Sequence, residues 1–217
     1  MALILCLETA TTNCSVAIAK DGNIITLRED ATAGYSHAEK LHVFIEEVLQ
    51  EAGLTQESLD AIAVSKGPGS YTGLRIGVSA AKGLCFALDK KLIAIPTLDV
   101  LAQQVTDDRT IVPMLDARRM EVYSAVFNAE KKQIRETQAE ILDPQSFEDY
   151  KAQQITFIGN GVEKYKELCI HEEAQFITNA LPSSKEMAVL AETAFQQQRF
   201  EDVAYFVPYY LKDYKAG

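Results

Sequence analysis

Ala2-Leu-Ile-Leu-Cys-Leu7, then Glu8-Thr-Ala-Thr-Thr-Asn13, then Cys14-Ser-Val-Ala-Ile-Ala19 is the stretch whose reading decides the fold. The apolar run 2–7 reads as a buried strand, the Thr-rich segment after Glu8 as a turn, and 14–19 as a second strand. Asp21-Gly22-Asn23 makes a hairpin turn into Ile24-Ile-Thr-Leu27. The second half repeats this order. Residues 111–115 form a strand that ends at Asp116, 117–121 turn, and Val122-Tyr-Ser-Ala-Val-Phe127 returns. A charged turn at 128–132 leads to a third strand over 133–141. Strand, acid, turn, strand, turn, strand thus occurs twice, which is the mark of an internal duplication.

Helices and further strands follow each meander. Between Tyr35 and Ala52, apolar residues at Ala38, Leu41, Ile45, Val48 and Ala52 keep helical spacing, and Gly53 stops the helix. Strands are expected at 60–65, 92–95 and 155–158, and helices at 72–88, about 162–169 and 183–198. The expected architecture is α/β and duplicated, with domains at 1–106 and 107–217 and the last helix free to pack back on the first domain. An acid at the end of each opening strand is expected to face a cleft, where ligands of such sheets bind.

Composition excludes several functions. The 217 residues hold 31 acidic and 21 basic side chains, a formal charge of −10, and 47% of the chain is hydrophobic. A chain this apolar folds without disulfides. Its acidity opposes a dedicated RNA-binding surface and docking to an anionic membrane. No run approaches the roughly 18 apolar residues of a membrane span, and the N-terminus lacks the basic region of a signal peptide, so cytoplasmic residence is expected. Cys6, Cys14, Cys85 and Cys169 show no C-x-x-C spacing and read as reduced thiols.

The strongest local signal is Gly67-Pro-Gly-Ser-Tyr-Thr-Gly-Leu-Arg-Ile-Gly77. Its glycines permit close backbone approach, and Ser70 or Thr72 can cap the helix that follows. No Gly-Lys-Ser/Thr follows, so it is not a Walker loop. It is either a rigid strand-to-helix turn or an anion cradle. The helix beyond it carries Gly73, Gly77, Ser79, Ala80, Ala81 and Gly83, a run of small residues that lets another helix approach closely, from within the chain or from a partner. His37 and His42 are five apart and diverge by about 140° on a helix, so they do not share one ion; no metal site is expected. Glu8 and Asp116 are either a carboxylate pair across the cleft or turn residues bonded to nearby N–H groups. Arg118 and Arg119 can pair with Asp116 or with a phosphate.

Ile4-Leu-Cys-Leu-Glu8-Thr-Ala-Thr11, the eleven-residue loop 67–77, Asp116-Ala-Arg-Arg-Met-Glu-Val-Tyr123 and Pro208-Tyr-Tyr-Leu211 together resemble the TsaB (YeaZ) family over essentially the whole chain. The resemblance implies the duplicated actin-like (ASKHA, ribonuclease H-like) fold. It also implies a non-catalytic scaffold or activating subunit for N6-threonylcarbamoylation of adenosine 37 in tRNAs reading A-starting codons. The implied partners are the transferase TsaD and the ATP-binding TsaE, which would hold the metal and ATP, with a homodimer when alone and tRNA met only through the complex. The implied partner interface is Leu41, Ile45, Tyr71, Gly73, Leu74, Gly77, Ala80, Ala81 and Leu84, with Gly77 as the point of closest helix approach. A vestigial cleft would comprise Glu8, Thr9, Thr11, Asp116, Arg118, Gly159 and Gly161, Gly159-Asn-Gly161 being the remnant of a nucleotide loop. The rival readings are an active enzyme of this fold, either metallopeptidase or small kinase, and a direct tRNA-binding module.

Overall fold

The computed structural model describes residues 2–31 and 37–212. The predicted helix start at Tyr35 lies outside them. Two compact units appear, one of residues 2–100 and 182–210, the other of 101–181 and 211–212 among those described.

The first unit opens with β1 (Leu3–Glu8), β2 (Cys14–Lys20) and β3 (Asn23–Asp30), an antiparallel meander. α1 (His37–Ala52) follows, then β4 (Ala61–Gly67), α2 (Tyr71–Leu88) and β5 (Lys91–Pro96). β4 lies parallel to β1 and β5 parallel to β4, which gives the strand order β3-β2-β1-β4-β5. The inner strands read as unbroken apolar runs because helices cover both faces of the sheet. Leu5, Leu7, Val16, Ile18, Ile62 and Val64 face α1 and α2. The alternate positions Ile4, Cys6, Ala17, Ala19, Ala61 and Ala63 face Met187, Ala188, Ala191 and Ala194 of α5 (Ser184–Gln196). Small side chains on both sides let α5 sit close to the strands. Its start is fixed by hydroxyls: Ser183 Oγ accepts from Lys185 N–H at 3.2 Å, Ser184 N–H donates to Ser15 Oγ at 3.1 Å, and Ser183 Oγ donates to Glu29 Oε2 at 2.8 Å.

The second unit repeats the plan. β6 (Thr110–Asp116), β7 (Glu121–Phe127) and β8 (Gln133–Ile141) form the meander, and β9 (Ile155–Gly159) and β10 (Ala174–Thr178) add in parallel on the far side of β6. The order β8-β7-β6-β9-β10 is that of the first sheet. The duplicated actin-like α/β fold expected from the sequence is what the chain adopts. Its core here is Val112, Met114, Val122, Phe147, Phe157 and Tyr165, whose rings meet edge to face.

The sequence missed α3 (Thr97–Ala102), a six-residue helix, and β10. The predicted helix over 162–169 is only α4 (Glu163–Lys166), after which Leu168 and Cys169 both donate to the Tyr165 carbonyl and close the turn. No helix among the described residues is long and apolar enough to cross a membrane.

α2 runs against the end of β1, and its glycines differ in what they meet. A Cβ on Gly73 would overlap the Thr9 carbonyl oxygen, whereas one on Gly83 meets nothing within 4 Å. Alanine is worth about 1 kcal/mol over glycine inside a helix, but forced overlap with backbone costs about 1–3 kcal/mol or more. Urea unfolding is therefore expected to show Gly83→Ala stabilised by up to about 1 kcal/mol and Gly73→Ala destabilised by about 2 kcal/mol or more. Equal effects would overturn the packing account.

Candidate functional site

The turn after β1 is locked under α2. Thr9 Oγ1 donates to the Gly73 carbonyl at 2.8 Å, and Ser70 N–H donates to the Ala10 carbonyl at 2.7 Å. A Cβ on Gly69 would overlap Ala10, and one on Gly77 would overlap the Thr9 hydroxyl. Ser70 caps α2 by accepting from Gly73 N–H at 3.3 Å. Of the two readings of loop 67–77, the rigid strand-to-helix turn describes this geometry. Gly77 faces the chain's own Thr9, and a bulky side chain there would disrupt this turn.

Glu8 is fully buried. Ala10 N–H donates to its Oε1 at 2.6 Å, and the Ser65 hydroxyl donates to Oε2. Burial pushes its pKa up to about 7, against the smaller opposing pull of these hydrogen bonds. The turn continues through Thr11, whose hydroxyl accepts from Asn13 N–H and whose carbonyl accepts from His37 Nε2 at 2.7 Å. His37 is buried, which lowers its pKa. Glu8, Thr9 and Thr11 thus come together as a sealed turn. The expected carboxylate pair is not supplied by Glu8, because both its oxygens are taken inside its own unit.

In the second unit, Asp116 repeats the turn chemistry in the open. Its Oδ1 accepts from Arg118 N–H at 2.5 Å and from Lys164 Nζ at 2.6 Å. Arg118 is exposed, in a left-handed conformation with φ 72°. Gly159 and Gly161 stand beside this turn, but not as a phosphate cradle. Gly161 N–H donates to the Met114 carbonyl at 3.1 Å, and a Cβ on Gly159 would overlap that same oxygen. Close packing against β6 explains both glycines.

The open surface lies along α2, where a groove of about 650 Å³ is lined by His42 of α1 and by Tyr71, Thr72, Arg75, Ile76, Ser79, Ala80, Gly83 and Leu84. Phe86, 85% exposed, stands on the same helix. Of the nine expected interface residues, only Tyr71, Ala80 and Leu84 line this groove. Leu41, Ile45, Gly73, Leu74, Gly77 and Ala81 are buried. The spacing Leu74, Val78, Ala81, Cys85 marks the inward stripe of α2, so 72, 75, 79, 83 and 86 must point outward. That wheel was available in the sequence and identifies the residues missed.

Among the described residues no group of three or more His, Cys, Asp or Glu is placed to hold a metal ion. Burial pushes the Cys6 and Cys85 thiols up to about 12 and Cys14 to about 11. All three are protonated and unreactive at neutral pH.

The raised pKa of Glu8 fixes the sign of one pH effect. Between its ordinary 4.5 and about 7 the folded chain keeps a proton that the unfolded chain releases. This contribution to stability is full below pH 4.5 and falls by about 3 kcal/mol as pH rises through 7. Glu8→Gln is expected to flatten that decline in urea unfolding between pH 5 and 8; an unchanged pH profile would refute the assignment.

The family model described as TsaD, tRNA N6-adenosine threonylcarbamoyltransferase, matches residues 31–217. The tRNA threonylcarbamoyladenosine biosynthesis protein TsaB of Haemophilus influenzae is 30% identical over 97% of this chain and 93% of that protein. The TsaB protein of Escherichia coli is 28% identical over 97% of this chain and 94% of that one. A solved Pseudomonas aeruginosa structure, described as similar to peptidase YeaZ, superposes with a TM-score of 0.84 at 27% identity, covering 98% of this chain and 100% of that one. With a family model matching most of its length and a relative of this identity over nearly all of it, the chain belongs to the TsaB (YeaZ) family.

Proposed function

We propose that the chain acts in tRNA threonylcarbamoyladenosine biosynthesis as a non-catalytic scaffold or activating subunit. It docks the threonylcarbamoyltransferase TsaD through the outer face of α2, with TsaE joining the pair and a homodimer forming in their absence. ATP, metal and the tRNA contact belong to the partners, in the cytoplasm. The observation that supports this best is the α2 groove: an apolar cleft on a rigid helix, with a bare glycine in its lining and Phe86 beside it. Candidate catalytic groups are already engaged, Glu8 in its turn and Asp116 with Lys164. The peptidase wording attached to the Pseudomonas aeruginosa structure has no counterpart here in a reactive thiol or a ligand cluster among the described residues.

Gly83 gives a clean test, because a Cβ there meets no neighbour within 4 Å and points into open space. Gly83→Leu is expected to keep or raise the melting temperature while weakening affinity for TsaD at least tenfold in calorimetry, about 1.4 kcal/mol. It should lower tRNA modification in a mixture of TsaD, TsaE and this chain to match. Unchanged affinity, or modification by this chain alone, would overturn the proposal.

A further inference from the structure

Beyond α5 the chain crosses the first unit as an irregular strap. Glu201 pairs with Leu92, and Val203 and Phe206 pack on the α1–α2 side of the core. Lys82 of α2 holds the strap from outside: its Nζ donates to the carbonyls of Ala204 at 3.2 Å and Phe206 at 2.8 Å. Further on, Tyr209 N–H donates to the Lys66 carbonyl at 2.7 Å, and the Tyr209 carbonyl fills the place where a Cβ on Gly67 would stand. This brings the Tyr210 ring to 4.9 Å from the Tyr71 ring, in the wall of the groove. The Arg75 guanidinium lies over the Tyr71 ring, 5.4 Å from its centroid. Arg75 is exposed and makes no ion pair among the described residues.

Four positions on α2 fall on one edge of the helix: Tyr71, Arg75, Lys82 and Phe86 are spaced four, seven and four apart. The strap touches this edge at Tyr71 and Lys82. It leaves Tyr205 83% and Val207 68% exposed. Solvent is a poor environment for apolar groups of this size beside an open apolar groove.

We propose that the strap 201–210 is a wall of the docking face, latched to α2 by Lys82, and that the face fits an amphipathic helix of the partner bearing a carboxylate that reaches Arg75. The inference rests on the docking reading above. Charge complementarity identifies the occupant. An apolar cleft with one unpaired guanidinium at its rim matches an apolar helix face with one acid, and Arg75, already steadied on Tyr71, is preorganised to meet it. Lys82 is a positioning residue: it touches the strap and sets where Tyr210 stands.

The test is titration of the full chain with the threonylcarbamoyltransferase subunit at 50 and 300 mM salt, with melting temperatures measured in parallel. Tyr210→Leu and Lys82→Met are expected to weaken binding about tenfold, and Lys82→Arg, which can still donate to two carbonyls, to restore it. Arg75→Gln should weaken binding at low salt and flatten the salt dependence, a readout that a purely structural role would not move. If Gly83→Leu weakens binding while Tyr210→Leu and Lys82→Met do not, the strap is no part of the face and the inference falls alone. If Gly83→Leu has no effect either, the docking reading falls with it.

Discussion

The rest of the first unit depends on one contact, the approach of the Thr9–Ala10 backbone to the first turns of α2. Gly69, Gly73 and Gly77 recur every four residues, and a Cβ on any of them would overlap that turn. Each glycine inside a helix costs about 1 kcal/mol against alanine. The gain is a helix lying directly on a strand end, with its donors and acceptors matched to the turn below. Thr9 bonds the Gly73 carbonyl and Ser70 bonds the Ala10 carbonyl. With that face committed inward, the opposite face of α2 is what remains for a partner.

The duplication shows the same position resolved in two ways. In the first unit the turn after the opening strand lies under α2, a helix of 18 residues, and its acid is buried. In the second unit the corresponding helix α4 has four residues. The turn after β6 stays exposed, and its acid pairs with Lys164. One sequence pattern, strand then acid then turn, therefore carries a buried group with a raised pKa in one copy and an exposed, ion-paired group in the other.

Much of the fold was legible because its strongest signals are local. The inner strands are continuous apolar runs, the hairpin turns carry Asp21-Gly22, and α1, α2 and α5 show helical spacing or caps. β10 escaped because it is an edge strand with alternate residues half-buried, a pattern that polar loops also show. α3 escaped because six residues hold fewer than two helical turns. The site was less legible. A run of small residues on a helix signals close approach without saying of what, and the family resemblance implied a partner at Gly73 and Gly77, where the structure has the chain's own Thr9. Gly83 belongs to the same run and faces open space. Only the position of each absent Cβ separates them. The strap contacts of Lys82 were invisible for another reason: they join residues more than 120 positions apart.

The first sheet is completed by a helix synthesised long after its strands. Ile4, Cys6, Ala17, Ala19, Ala61 and Ala63 present one apolar face on which α5, beginning at Ser184, packs. On a ribosome residues 101–181, all five strands of the second sheet included, are made before that cover exists. The N-terminal meander emerges first but waits for α5, and for most of synthesis its face is uncovered apolar surface, the kind that makes a nascent chain aggregation-prone. The first strands to be made are thus among the last to be covered, a consequence of placing α5 late in the sequence.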